Sequence, residues 1–225
     1  MGLSLSELRD GLPEGGLFGG GAWRWSPEPL KLSPAEARQI MSLGHPLARF
    51  QQACDGLYRR SAAGKLPEWL AELLDEGKPD WLAKLQREPS TAERFPRVIR
   101  PDLILTESGF AMTELDSVPG GVGLTAYLNE VYAEDYPGVI GRNAMPDRFM
   151  ASLARLTPKE KFPLVAIVVS EEGATYRPEF EWLGEKLRTL GHDVHVVEPS
   201  QVMQMGDGSY IPVDGAPRRV DILYR

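Results

Sequence analysis

Residues 162–197 run FPLVAIVVSEEGATYRPEFEWLGEKLRTLGHDVHVV. The stretch opens on an apolar run of strand length, 162–169, and closes on a shorter one, 193–197. Between them, residues 178–190 carry apolar side chains at helical spacing and stop at Gly191, a residue suited to the left-handed turn that ends many helices. Strand, helix, strand in this order is the unit of a parallel α/β layer, because a parallel neighbour is reached only through a crossover. Residues 201–213 then resemble a hairpin turning at Gly206-Asp207-Gly208, and 220–224 begin another strand. The sequence stops one residue later, inside an apolar strand, so the chain is expected to be a piece of something longer. Glu171, Glu172 and Tyr176 follow the first strand, at the edge where ligands of open parallel sheets gather. The two glutamates are candidates to receive a cationic amine; a solvated loop is the simpler alternative.

Upstream, 98–106 (VIRPDLILT) and 110–116 (FAMTELD) read as two strands joined by Glu107-Ser108-Gly109. Side chains alternate faces along a strand, so Arg100 shares a face with Asp102, and Glu114 with Asp116. A three-residue loop sets Asp102 opposite Glu114 and Arg100 opposite Asp116, with Cβ atoms about 4.5–5.5 Å apart. Three carboxylates so close repel one another, and one arginine neutralises only one of them. A hard cation would neutralise the rest, and Mg²⁺ suits a set of oxygen ligands. The alternative is a solvated hairpin edge whose charges discourage aggregation.

The loop that follows, Val118-Pro119-Gly120-Gly121-Val122-Gly123, feeds a helix expected over 124–132. Gly120, Gly121 and Gly123 allow close approach of a ligand to the backbone, and the N–H groups at the start of the next helix would face an anion. These residues are therefore candidate substrate contacts.

Arg100-Pro101-Asp102, eleven residues, then Glu114-Leu115-Asp116 and a loop of small residues resembles the glutathionylspermidine synthases and related circularly permuted ATP-grasp ligases. The resemblance implies that Asp102, Glu114 and Asp116 bind Mg²⁺ bridging the phosphates of ATP, and that Arg100 touches the carboxylate or acyl phosphate of the activated substrate. It implies a carboxylate and an amine, small molecule or peptide, as substrates, and amide formation through an acyl phosphate. Asp116 stands where the family has Asn, and Pro119 and Gly121 stand near the places of the family's loop serines, so peptide recognition does not carry over. The match is specific over 95–135 and weaker over 162–225, which resembles the α/β domain that precedes the grasp fold. The lysines and adenine slot of the grasp itself are not visible, so ATP is expected to be held mainly by residues beyond this chain. A non-catalytic scaffold module and a metal-dependent hydrolase are the competing readings.

The expected architecture is thus mixed α/β in four parts. Residues 1–94 form a Gly/Pro-rich arm and helices, 95–139 the hairpin, loop and helix, 140–161 a polar linker, and 162–225 the α/β layer. Gly15, Gly16, Gly19, Gly20 and Gly21 lack a preceding strand, so they read as a loose arm rather than a phosphate loop, pinned by Trp23 and Trp25. Ser33-Pro34-Ala35-Glu36 is a helix start with a capping box, and Gly44 and Pro46 break that run. Leu47, Phe50, Cys54 and Leu57 form one helical face, and Trp69, Leu70, Leu73, Leu74, Trp81, Leu82 and Leu85 the buried set of two short helices. Cys54, the only cysteine, reads as core, rules out an intrachain disulfide and fits a reducing, cytoplasmic setting. His45 reads as a structural histidine in a turn. The net charge of −7 argues against nucleic acid as a partner, and no apolar run approaches the ~20 residues of a membrane span. The N-terminus lacks the regions of a signal peptide, and its Met-Gly start with Ser6 matches a myristoylation pattern only loosely.

Overall fold

The computed structural model describes residues 2–19, 24–92, 94–107 and 109–225; the expectations placed on Gly20, Gly21, Trp23 and Ser108 fall outside these. The architecture is mixed α/β, as the sequence implied. In chain order the helices and strands are α1 (Leu5–Asp10), α2 (Pro34–Ser42), α3 (Gly44–Ala62), α4 (Trp69–Asp75), α5 (Asp80–Arg87), β1 (Arg100–Thr106) and β2 (Gly109–Asp116). They continue as α6 (Val122–Asp135), α7 (Met145–Ala154), β3 (Leu164–Val168), α8 (Arg177–Thr189), β4 (Asp193–Val197), β5 (Met203–Met205), β6 (Gly208–Val213), β7 (Ala216–Arg219) and β8 (Ile222–Tyr224). Two compact units divide the chain: Met1–Leu30, Arg97–Ile104 and Phe110–Arg225 form one, Lys31–Pro96 and Leu105–Gly109 the other.

The larger unit is built on β3. It pairs in parallel with β4 on one side and β8 on the other, giving the order β4-β3-β8. Alternation along β3 sends Val165, Ile167 and Val169 to one face, where they meet α8 through Phe180, Leu183 and Leu187 and α7 through Phe149, Met150 and Leu153. Leu164 and Ala166 face the other way, against Val197 and against Ile211 and Val213 of β6. That second layer is an antiparallel sheet, β5-β6-β7. A strand buried on both faces explains why 164–169 is continuously apolar rather than alternating. Each fully buried Leu or Val side chain contributes about 1.5–3 kcal/mol by leaving water.

Two expectations about this unit are corrected. Residues 140–161 are not a linker: α7 lies there and its apolar stripe is core. The average polarity of the stretch hid a stripe of only one helix face. The N-terminal arm is not loose over its described part either. Ser4 and Glu7 close a capping box at α1, a Ser-x-x-Glu signal present in the sequence. Leu8 and Phe18 are buried, and Phe18 meets the Tyr127 ring edge-on with centroids 5.7 Å apart. The Tyr127 hydroxyl donates to the Gly11 carbonyl.

In the helical unit, the capping box Ser33/Glu36 starts α2 as expected. The expected core does not form. Leu47 is buried, but Phe50, Leu57, Trp69, Leu73, Leu74, Trp81 and Leu85 are exposed, and so are Cys54 and His45. Helices α4 and α5 are 7 and 8 residues long, and two turns bury little against a single neighbour. Polar contacts hold the unit instead. The Tyr58 hydroxyl donates to Asp75 at 2.8 Å, Arg87 and Lys78 pair with the same carboxylate, and buried Ser61 donates to the Pro67 carbonyl at 2.6 Å while accepting the Ala71 N–H at 3.0 Å.

Candidate functional site

The loop between β2 and α6 sits beside the carboxyl ends of β3 and β8 in the larger unit. Arg100, at the start of β1, joins hairpin and loop. Its Nε donates to Asp102 at 3.0 Å, its Nη1 to the Gly120 carbonyl at 3.0 Å, and its Nη2 lies 3.5 Å from Asp116. Asp116 uses its other oxygen to accept the Val118 N–H at 2.8 Å, which shapes the turn. The guanidinium fork thus spends three directions on one corner, yet the arginine side chain stays 44% exposed. Burial acts against its charge, but the hydrogen bond to Asp102 and the charges of Asp102 and Asp116 more than compensate, and its pKa is raised.

Three of the four hairpin residues therefore converge, and the fourth does not. Glu114 is exposed, and among the described residues it makes no ion pair and no group of three or more carboxylate, His or Cys side chains is placed to hold a metal. Asp102 and Asp116 are both turned to Arg100. As placed, the set does not fit an Mg²⁺ ion held by this chain alone.

The glycine loop has an internal anion. Glu179, on the first turn of α8, is fully buried and accepts the N–H groups of Gly121, at 2.5 Å, and of Leu124, at 3.0 Å. These are orphan donors at the start of α6, the groups expected to face a ligand. The chain's own carboxylate fills that role. Burial raises the pKa of Glu179 above its ordinary value; the N–H donors of Leu124, Gly121 and Gly123 and the charge of Arg100 pull the other way without cancelling it. The glycines are needed for space. Gly121 has φ +83°, and a Cβ at Gly123 would lie 2.1 Å from the Glu179 carbonyl oxygen, so α6 and α8 touch backbone to backbone there. A Cβ at Gly120 would lie 2.2 Å from the Tyr176 ring.

Between loop and sheet edge is a cavity of about 210 Å³. Val168 and Val169 from the end of β3, Phe180 from α8 and Tyr224 from β8 form much of it, and Gly120 and Tyr176 close it. The position agrees with the general preference of ligands for the carboxyl edge of parallel strands. Of the residues expected there, Tyr176 lines the cavity; Glu171 and Glu172 are exposed on the same loop but form no part of its wall. Tyr224 is packed edge-on against Phe149 and Phe180, at 5.1 and 6.0 Å between centroids. Its hydroxyl is buried with no hydrogen-bond partner among the described residues, and burial, with the charges of Glu179 and Asp116, pushes its pKa up to about 12.

Glu179, Phe180 and Tyr224 escaped the sequence reading. Glu179 carried a signal: it lies four and eight residues before Leu183 and Leu187, on the apolar stripe of its helix, where a carboxylate belongs only if it has donors.

No family model matches the chain, and neither does any curated protein. The resemblance to the permuted ATP-grasp ligases therefore rests on the motif alone. No helix among the described residues is long and apolar enough to cross a membrane.

Proposed function

We propose that this chain is the substrate-holding part of an ATP-dependent carboxylate–amine ligase, binding the acid that is activated, with ATP gripped mainly by residues outside residues 1–225. The observation that carries the reading is Arg100, half-exposed and hydrogen-bonded to the carbonyl of Gly120, a residue in the wall of a cavity on the carboxyl edge of a parallel sheet. In such a ligase a substrate carboxylate oxygen attacks the γ-phosphorus of ATP and ADP leaves, giving an acyl phosphate. An amine nitrogen then attacks the acyl carbon, phosphate leaves, and the nitrogen gives up a proton. Arg100 would steady the carboxylate and then the acyl phosphate, because a guanidinium matches two oxygens of either group. Asp102 and Asp116 hold that fork in place. Mg²⁺ neutralises phosphate charge in such reactions, but the carboxylates here do not form a set for it, and no step is drawn through it.

Calorimetric titration of the chain with acetylphosphonate, a stable mimic of an acyl phosphate, and separately with MgATP tests this. Millimolar or tighter binding of the phosphonate, lost in Arg100→Gln, and no binding of MgATP are expected. Micromolar MgATP binding, or phosphonate binding indifferent to Arg100, overturns the reading.

A further inference from the structure

We propose that the cavity at the carboxyl edge of the parallel sheet selects the acid by its apolar end, taking an aromatic or branched aliphatic group whose carboxylate reaches Arg100. The inference rests on the reading of this edge as a substrate site and narrows it to a class of acid.

Size comes first. An apolar cavity of about 150 Å³ accepts a benzene ring. The space here is about 210 Å³, enough for a ring with a short methylene extension and too small for a peptide. Lining chemistry comes second. Val169 and Phe180 are buried core residues whose surfaces form the wall, and the ring of Tyr176 closes over Gly120. Aromatic walls favour an aromatic guest by edge and offset contacts. Charge comes third. Among the described residues no carboxylate side chain contributes to the wall, whereas Arg225 does, so a cationic amine finds no side-chain partner inside it. The loop glutamates expected to receive such an amine, Glu171 and Glu172, stand outside. The guanidinium of Arg100 is 3.0 Å from the carbonyl of Gly120, a residue of the cavity wall, and is half-exposed. An acid whose apolar body fills the hollow therefore has two arginines to meet, Arg225 in the wall and Arg100 hydrogen-bonded to the wall at Gly120. A cationic amine would meet the same arginines and be repelled.

The test is titration of the chain, by calorimetry and by amide chemical shifts, with 3-phenylpropanoate, acetate, 3-phenylpropanol and 3-phenylpropylamine. 3-Phenylpropanoate is expected to bind at least tenfold more tightly than acetate or the amine and to shift the amides of Gly120, Val169 and Gly173. Arg100→Gln should weaken it, and Arg100→Gln together with Arg225→Gln should reduce it to the affinity of 3-phenylpropanol. Gly173→Leu is the blocking variant. Gly173 has φ −90°, open to any residue, and a Cβ there meets nothing closer than 3.6 Å, so the side chain enters the hollow without backbone strain. It should abolish 3-phenylpropanoate binding, leave acetylphosphonate binding intact, and leave the thermal midpoint unchanged. Arg100-dependent phosphonate binding with 3-phenylpropanoate no tighter than acetate sinks the apolar-acid class and spares the ligase reading. Binding of neither sinks both. Preference for the amine reverses the charge argument and overturns the proposal.

Discussion

Replacing Glu179 by Ala tests the idea that the glycine loop is held by an internal carboxylate. The substitution removes the acceptor of two half-buried N–H groups, those of Gly121 and Leu124. A buried donor left without a partner costs about 1–3 kcal/mol, and loss of a helix cap about 1 kcal/mol. Against this stands relief from keeping a carboxyl fully out of water. The expected net loss is about 3 kcal/mol, a large share of the ~5–15 kcal/mol that domains possess. Urea unfolding gives the free energy, and hydrogen exchange at the Leu124 amide reports the cap directly. Glu179→Gln keeps one accepting oxygen and should lose only about 1–2 kcal/mol. The pair also separates by pH. A carboxyl whose folded pKa is raised binds its proton more tightly in the native state. Its contribution is complete below the ordinary value of 4.5 and fades as pH rises through the higher folded value. The parent should therefore lose stability relative to Glu179→Gln as pH climbs from 4.5 through that window. An Ala variant within about 0.5 kcal/mol of the parent, with Leu124 protection unchanged, would refute the role of Glu179.

Two further substitutions probe the same corner. Gly123→Ala sets a methyl 2.1 Å from a backbone oxygen of α8, whereas Gly121→Ala meets only left-handed strain. Losses of about 3 kcal/mol or more and of about 1–2 kcal/mol respectively are expected in urea unfolding, and a reversed order would contradict the helix contact. Tyr224→Phe removes a buried hydroxyl that has no partner among the described residues, so thermal unfolding should show a gain of up to about 1 kcal/mol. A loss of that size would mean the hydroxyl has an acceptor.

The parallel layer was legible because its signals are local and agree with one another. The double-sided burial of β3 makes 164–169 apolar throughout, and the left-handed turn at Gly191 needs a glycine before β4 can begin. The hairpin and the link from Arg100 to Asp102 and Asp116 were legible for the same reason, since alternation along two adjoining strands fixes which side chains share a face. Tertiary contacts decided the rest. Nothing near Gly121 in sequence announces that its N–H is taken by Glu179, because the helix bearing that carboxylate arrives from 58 residues away. The apolar stripes of α4 and α5 look like core by periodicity, but periodicity marks a face without providing a neighbour to cover it, and Trp69 and Trp81 remain exposed. Sequence alone determined the parallel layer, the hairpin and the charged corner; packing between distant segments decided which groups are buried, which donors are already satisfied, and where a cavity is left.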